Sequence, residues 1–188
     1  TNNHPGYKKQ VEFYKKHQTI FESPKKVDMI CEPAEDVDYS KYENYFDTIF
    51  TSPPYFNIER YGEDDNQSWV RYKTIDSWNH QFLHKAIDNM WPTLKSGGLL
   101  CINISDVNAK ISKGARWLKI CDPMNEFIDE YRDSEYRGCI GMEMAKRPNS
   151  GGAGTAKDTI QFKDKTMEFV EENKDKRFCE PIWMWEKK

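Results

Sequence analysis

Two adjacent prolines constrain this chain more than any other pair of its residues. Phe46-Asp47-Thr48-Ile49-Phe50-Thr51 is a short strand-forming run, and Ser52-Pro53-Pro54-Tyr55-Phe56 follows at once. Proline has no N–H for a sheet ladder and its φ is fixed, so a strand entering this segment must stop. The pattern predicts a buried strand over 48–50 with a rigid, exposed carboxyl end. In open α/β sheets that end is where ligands bind. With Ser, Pro and Tyr each near 5% of residues, a chance Ser-Pro-Pro-Tyr in such a chain has odds of about 1 in 1000. The plain alternative is a strand terminator and nothing more.

The chain has 188 residues, enough for one domain with a real core. Mean hydropathy is low at −0.91 and 31% of residues are charged, yet 14% are aromatic. Such a share of rings argues against disorder, because they need somewhere to pack. No apolar run approaches the ~20 residues that cross a bilayer and no signal peptide is visible, so a cytoplasmic protein without a membrane partner is expected. The cysteines Cys31, Cys101, Cys121, Cys139 and Cys179 are widely spaced, as buried thiols in a reducing compartment would be. A net charge of −3 and a pI near 5.9 require any nucleic-acid partner to meet a local basic face.

Along the chain, residues 5–17 read as a helix, 26–31 as a strand, and Glu32-Pro33-Ala34-Glu35-Asp36 as an acidic loop. Residues 57–75 lack a clear period and read as a long loop, of the kind that carries function. The best helix spans 76–94, where Trp78, Phe82, Leu83, Ala86, Ile87, Met90, Trp91 and Leu94 recur at three and four residues. Gly97-Gly98 is expected to end it, and 99–104 to form a central strand, apolar on both faces. A helix over 123–136, a strand over 138–145, a flexible loop over 147–157, one or two turns over 166–173 and a last strand over 181–185 complete the reading. Trp183 and Trp185 alternate as packing at a sheet edge. This order predicts an α/β fold: a mainly parallel sheet flanked by helices with an antiparallel ending. A helix opens the chain with no strand before it.

Thr51-Ser52-Pro53-Pro54-Tyr55-Phe56 after a strand resembles the catalytic motif of amino-group DNA methyltransferases. Phe46-Asp47, Leu94-Lys95-Ser96-Gly97-Gly98 and the closing Glu180-Pro181-Ile182-Trp183 agree, so the resemblance runs over about 1–186. It implies a Rossmann-like fold, S-adenosylmethionine as cofactor, double-stranded DNA as partner, and methyl transfer to cytosine N4 or adenine N6. The whole of 1–188 would be one catalytic domain, with 57–75 and 147–179 as loop or insert regions. The chemistry suits the residues. An exocyclic amine is a poor nucleophile, and two acceptors that take its hydrogens push it towards sp³ geometry. Ser52 Oγ and the Pro53 carbonyl are the candidate acceptors, on a loop that Pro53 and Pro54 stiffen. Tyr55 would stack on the flipped base, so Tyr55→Ala is expected to abolish transfer with little loss of fold. A catalytically silent DNA-binding or partner subunit, and a methyltransferase for RNA or a protein amide, are the alternatives.

The resemblance also implies cofactor contacts from Asn2, Ala34, Glu35, Asp36 and Thr51. Pro33 stands where the family's adenine-binding carboxylate is expected, and a solvated acidic turn explains Glu35 and Asp36 equally well. The family's first strand and glycine-rich loop have no counterpart here. The chain therefore reads as N-terminally incomplete. A second polypeptide that completes the cofactor site, or a non-catalytic relative, would also fit. Candidate phosphate contacts are Arg60, Arg71 and Lys73, then Lys110, Lys113 and Arg116, and Lys146 and Arg147. His80 and His84 lie four apart but lack the Glu of a zinc-protease pattern, so no metal site is expected.

Overall fold

A computed structural model of the chain describes residues 9, 12, 13, 16, 28, 30–62, 64–111, 114–143 and 179–188. Asn2, Lys113, Lys146, Arg147, the loop over 147–157, the turns over 166–173, and most of the helix over 5–17 and the strand over 26–31 lie outside these residues.

The elements, in chain order, are β1 (Phe46–Thr51), the one-turn helix α1 (Ser68–Arg71), the helix α2 (75–90), β2 (Leu94–Asn103), β3 (Val107–Ile111), β4 (Gly114–Leu118), α3 (Cys121–Asp129), β5 (Ser134–Glu143) and β6 (Cys179–Lys187). The main sheet has the order β1-β2-β6-β5. β1 and β2 are parallel, while β2–β6 and β6–β5 are antiparallel. Parallel neighbours need a crossover, and α2 supplies it between β1 and β2. β3 and β4 form a separate antiparallel hairpin.

Periodicity explains the core. Trp78, Phe82, Leu83, Ala86, Ile87 and Trp91 are all buried, as the three-and-four spacing in α2 requires. The helix is regular over Ile75–Trp78 and Lys85–Met90, with a π-helical stretch over Asn79–His84 between. It ends at Met90, earlier than expected, because Pro92 tightens the chain into a 3₁₀ turn over Trp91–Thr93. On β6, period 2 sends Trp183 and Trp185 to the same face. Opposite them on β2 stand Ile102 and Leu100, and all four are fully buried. The two tryptophans are therefore central rather than at an edge, since β6 lies between β2 and β5.

Gly97 and Gly98 do not end a helix. They lie within β2, where the register against β1 slips: Phe46 pairs with Leu94 but Thr48 with Leu99. Gly97 has φ +77°, and a Cβ on Gly98 would stand 2.8 Å from the Lys95 carbonyl oxygen. Only glycine accommodates both demands. β1 departs from the buried strand expected at 48–50. Ile49 faces the core, whereas Thr48 is exposed and Phe50 is 61% exposed. Among the described residues β1 pairs with β2 alone.

Candidate active site

β1 and β2 run parallel, so their carboxyl ends meet, and β6 enters the sheet beside them from the opposite direction. This convergence builds the site from three distant segments: 52–56, 103–106 and 180–181. The last ladder pair of β2 and β6 is Asn103 with Ile182. Beyond it the Asn103 side chain continues the bonding, its Nδ2 donating to the Pro181 carbonyl at 3.0 Å. Ser52, exposed just past β1, donates its Oγ–H to Asn103 Oδ1 at 3.4 Å.

The proline loop is held on both sides. Pro53 is buried, and the Phe56 N–H donates to the Pro54 carbonyl at 2.8 Å. Phe56 has φ +47°, unusual for a non-glycine residue, and its buried ring meets Trp78 edge to face. Packing thus imposes the turn. The Tyr55 N–H donates to Glu59 Oε2 at 3.1 Å, and its hydroxyl donates to Glu180 Oε2 at 3.3 Å. Burial, then the neighbouring Glu180 carboxylate, pushes the Tyr55 phenol far above the usual tyrosine range. It stays protonated and remains a donor.

Behind these groups Asp106 Oδ1 accepts from the Ile120 and Cys121 N–H groups at 2.9 and 3.0 Å, capping α3, while Lys119 Nζ lies 3.3 Å from Oδ2. Both strands of the hairpin therefore spring from the site, β3 just after Asp106 and β4 just before Ile120. Asn103, Ser105 and Asp106 carry no mark in the sequence as site residues, and Glu180 stands out only as part of the closing Glu180-Pro181-Ile182-Trp183. Their side chains acquire neighbours only when β2, α3 and β6 meet.

The carboxylates expected to meet the cofactor are engaged elsewhere. Glu35 is only 1% exposed and accepts from Arg71 Nη1 at 2.6 Å and from the Tyr72 hydroxyl at 3.1 Å. Its presence pushes the Tyr72 phenol, already raised by burial, to about 12. Asp36 lies 2.8 Å from Arg71 and 3.2 Å from Lys85, and hydrogen bonds from these two hold its carboxyl below the usual range. Glu35 is thus buried in its ion pair, whereas Asp36 keeps an exposed side chain beside Arg71 and Lys85. Ala34 shares their turn, and Thr51, half-buried, pairs with Ile102.

Arg71 pairs with Glu35 and Asp36. Arg60 lies over the Trp69 ring at 4.7 Å and donates to the Asn57 carbonyl, keeping an exposed position beside the motif loop. Lys73 is exposed after α1. Lys110 and Arg116 lie on the two strands of the hairpin, in neighbouring register pairs with Ala115 and Ala109. His80 and His84 meet edge to face at 5.0 Å, and among the described residues no three metal-binding side chains cluster. Cys31, Cys101, Cys121 and Cys139 are free thiols.

A family model described as DNA methylase, covering enzymes of the adenine-N6 and cytosine-N4 class, matches residues 46–187. The chain belongs to the DNA methylase family. Every part of the site just described, from Ser52 to Glu180, falls inside that match. Among solved structures, a protein of Thermus thermophilus described as a candidate DNA modification methylase aligns with a TM-score of 0.50 and 17% identity. The alignment covers 83% of this methylase chain and 50% of the other. The same Thermus protein solved in complex with S-adenosyl-L-methionine aligns with a TM-score of 0.49 and 17% identity, over 83% and 53% of the two chains. The chain thus spans about half the length of these structures, and the first of them establishes the methyltransferase fold. No curated protein matches the chain. Among the described residues no helix is long and apolar enough to cross a membrane.

Proposed function

We propose that this chain is the catalytic domain, or the greater part of one, of a DNA methyltransferase that modifies the exocyclic amine of cytosine or adenine. S-Adenosylmethionine would supply the methyl group, and a base flipped from duplex DNA would receive it. The observation that carries this reading is the placement of Ser52-Pro53-Pro54-Tyr55 at the joint carboxyl ends of β1 and β2, in a chain of the DNA methylase family. Ser52 is exposed there and Tyr55 is tied down at both its N–H and its hydroxyl.

On this reading Ser52 Oγ and the Pro53 carbonyl take the two amine hydrogens and orient the nitrogen lone pair. The Tyr55 ring stacks on the base, and Glu180 fixes the ring's attitude. Arg60, Lys73 and the hairpin carrying Lys110 and Arg116 border the DNA. Preorganised acceptors of this kind supply much of the rate, because nothing need rearrange during transfer.

The engaged state of Glu35 and Asp36 favours a second reading, a partner subunit that keeps the motif's shape without its own cofactor site. Titration calorimetry of the full-length protein with S-adenosylmethionine separates the two, since micromolar binding supports the enzyme and none supports the partner. For the chemistry itself, the full-length protein is incubated with unmethylated DNA and cofactor, and the nucleosides are analysed by mass spectrometry. N4-methylcytosine or N6-methyladenine is expected, and Ser52→Ala is expected to lower the yield on the order of 100-fold. Full activity from a Ser52→Ala, Tyr55→Ala double variant would overturn the assignment.

A further inference from the structure

We infer that Asn103 is a positioning residue that turns the Ser52 hydroxyl into a pure hydrogen-bond acceptor. The inference rests on the methyltransferase reading above and extends it to a residue outside the motif.

The chain of bonds has a direction. An amide side chain presents one face that only donates and one that only accepts. Asn103 Nδ2 donates to the Pro181 carbonyl at 3.0 Å, and that carbonyl can only accept. This fixes which way the amide lies and leaves Oδ1 facing Ser52 Oγ at 3.4 Å. Oδ1 has no hydrogen, so a hydrogen bond between the two groups uses the Ser52 proton. A hydroxyl has one proton and two lone pairs. With the proton spent on Asn103, Ser52 offers only lone pairs to the open side of the site. A group that donates, such as an exocyclic NH₂, meets an acceptor there, whereas a ring nitrogen or carbonyl oxygen meets no donor.

Burial supports the same assignment. Asn103 is 5% exposed, at the end of β2, and its backbone is held by the ladder pair with Ile182. A side chain so placed has few rotamers to lose, so its orientation costs little entropy at the moment of reaction. Through this amide β6 acts on Ser52 from a segment about 130 residues away in sequence.

The test is a double-mutant cycle in the full-length protein, with methyl transfer to DNA as the readout. Asn103→Leu keeps the branched shape and removes both the acceptor for Ser52 and the donor to Pro181. It is expected to lower kcat roughly 10-fold, the value of one oriented hydrogen bond, while KM for S-adenosylmethionine stays within twofold. In a Ser52→Ala background Asn103→Leu should cost nothing further, because the hydroxyl it orients is gone. Two independent, multiplying losses would overturn the inference and leave the methyltransferase reading standing, as would an Asn103→Leu protein with wild-type kcat. A wild-type protein that transfers no methyl group to any DNA would instead remove the reading and the inference with it. Urea midpoints of all these variants separate either result from simple unfolding.

Discussion

Tyr55 donates its hydroxyl to Glu180 while its ring packs partly against the core. Two substitutions separate these jobs. Tyr55→Phe keeps the ring and removes one hydrogen bond, leaving the Glu180 carboxylate short of a partner. It should cost about 1–2 kcal/mol in urea unfolding and retain most methyl transfer. Tyr55→Ala removes the ring as well. It should abolish transfer and cost about 3 kcal/mol or more, by the cavity it leaves. The sequence alone predicts that the alanine variant spares the fold. The packing of Tyr55 against the core corrects that expectation, because a strand-end loop normally stands clear of such contacts. A Tyr55→Phe protein as inactive as Tyr55→Ala would show that the hydroxyl, not the ring, is essential.

In α2 the π-helical stretch brings His84 into the interior, 6% exposed and stacked on Phe127 with ring centroids 4.1 Å apart. Burial, reinforced by the facing His80, pushes its pKa down from 6.5 to about 4, against smaller opposing effects of Asp88 and the Pro123 backbone. The unfolded chain therefore binds this proton first as pH falls. Stability from His84 is fully present above about pH 6.5 and is lost progressively down to about pH 4, by up to about 3 kcal/mol. Urea midpoints measured between pH 7.5 and 4.5 should fall in wild type and stay nearly level in His84→Phe. The helix itself is legible from its apolar spacing. Its π stretch is not, because an i→i+5 turn leaves no mark in a list of apolar positions. The glycine pair before residue 99 is visible too, but its purpose is not. Helix termination and a strand irregularity both use Gly-Gly, and only the register against β1 distinguishes them. The β3–β4 hairpin is faint in the sequence: Val107, Ala109 and Ile111 alternate over a span too short to stand apart from the charges around it.

Across the whole molecule, β6 is the strand on which the sheet depends. It joins β2 to β5, and Trp183 and Trp185 press from it into the core shared with α2 and α3. Their indole N–H groups are satisfied as well, by the Ile104 carbonyl and the Asn125 side chain. Trp183→Ala should therefore cost about 3–5 kcal/mol. Because β6 also carries Glu180 and Pro181, methyl transfer should disappear with the fold in one cooperative step, with circular dichroism and activity sharing a midpoint. Separate midpoints would mean that the site does not depend on β6. By itself the sequence determined the strand ending at Ser52, the apolar face of α2, the antiparallel finish, and the family to which these residues point. Each of those rests on local rules: proline's missing N–H, periodicity and a short contiguous motif. Tertiary structure alone decided that Phe50 of β1 is exposed, that Trp183 and Trp185 are central, and that Glu35 and Asp36 are bound to Arg71. It alone brought Asn103 and Glu180 to the motif. Those outcomes depend on which strands become neighbours, and residues up to about 130 apart in the chain carry no local signal that they will meet.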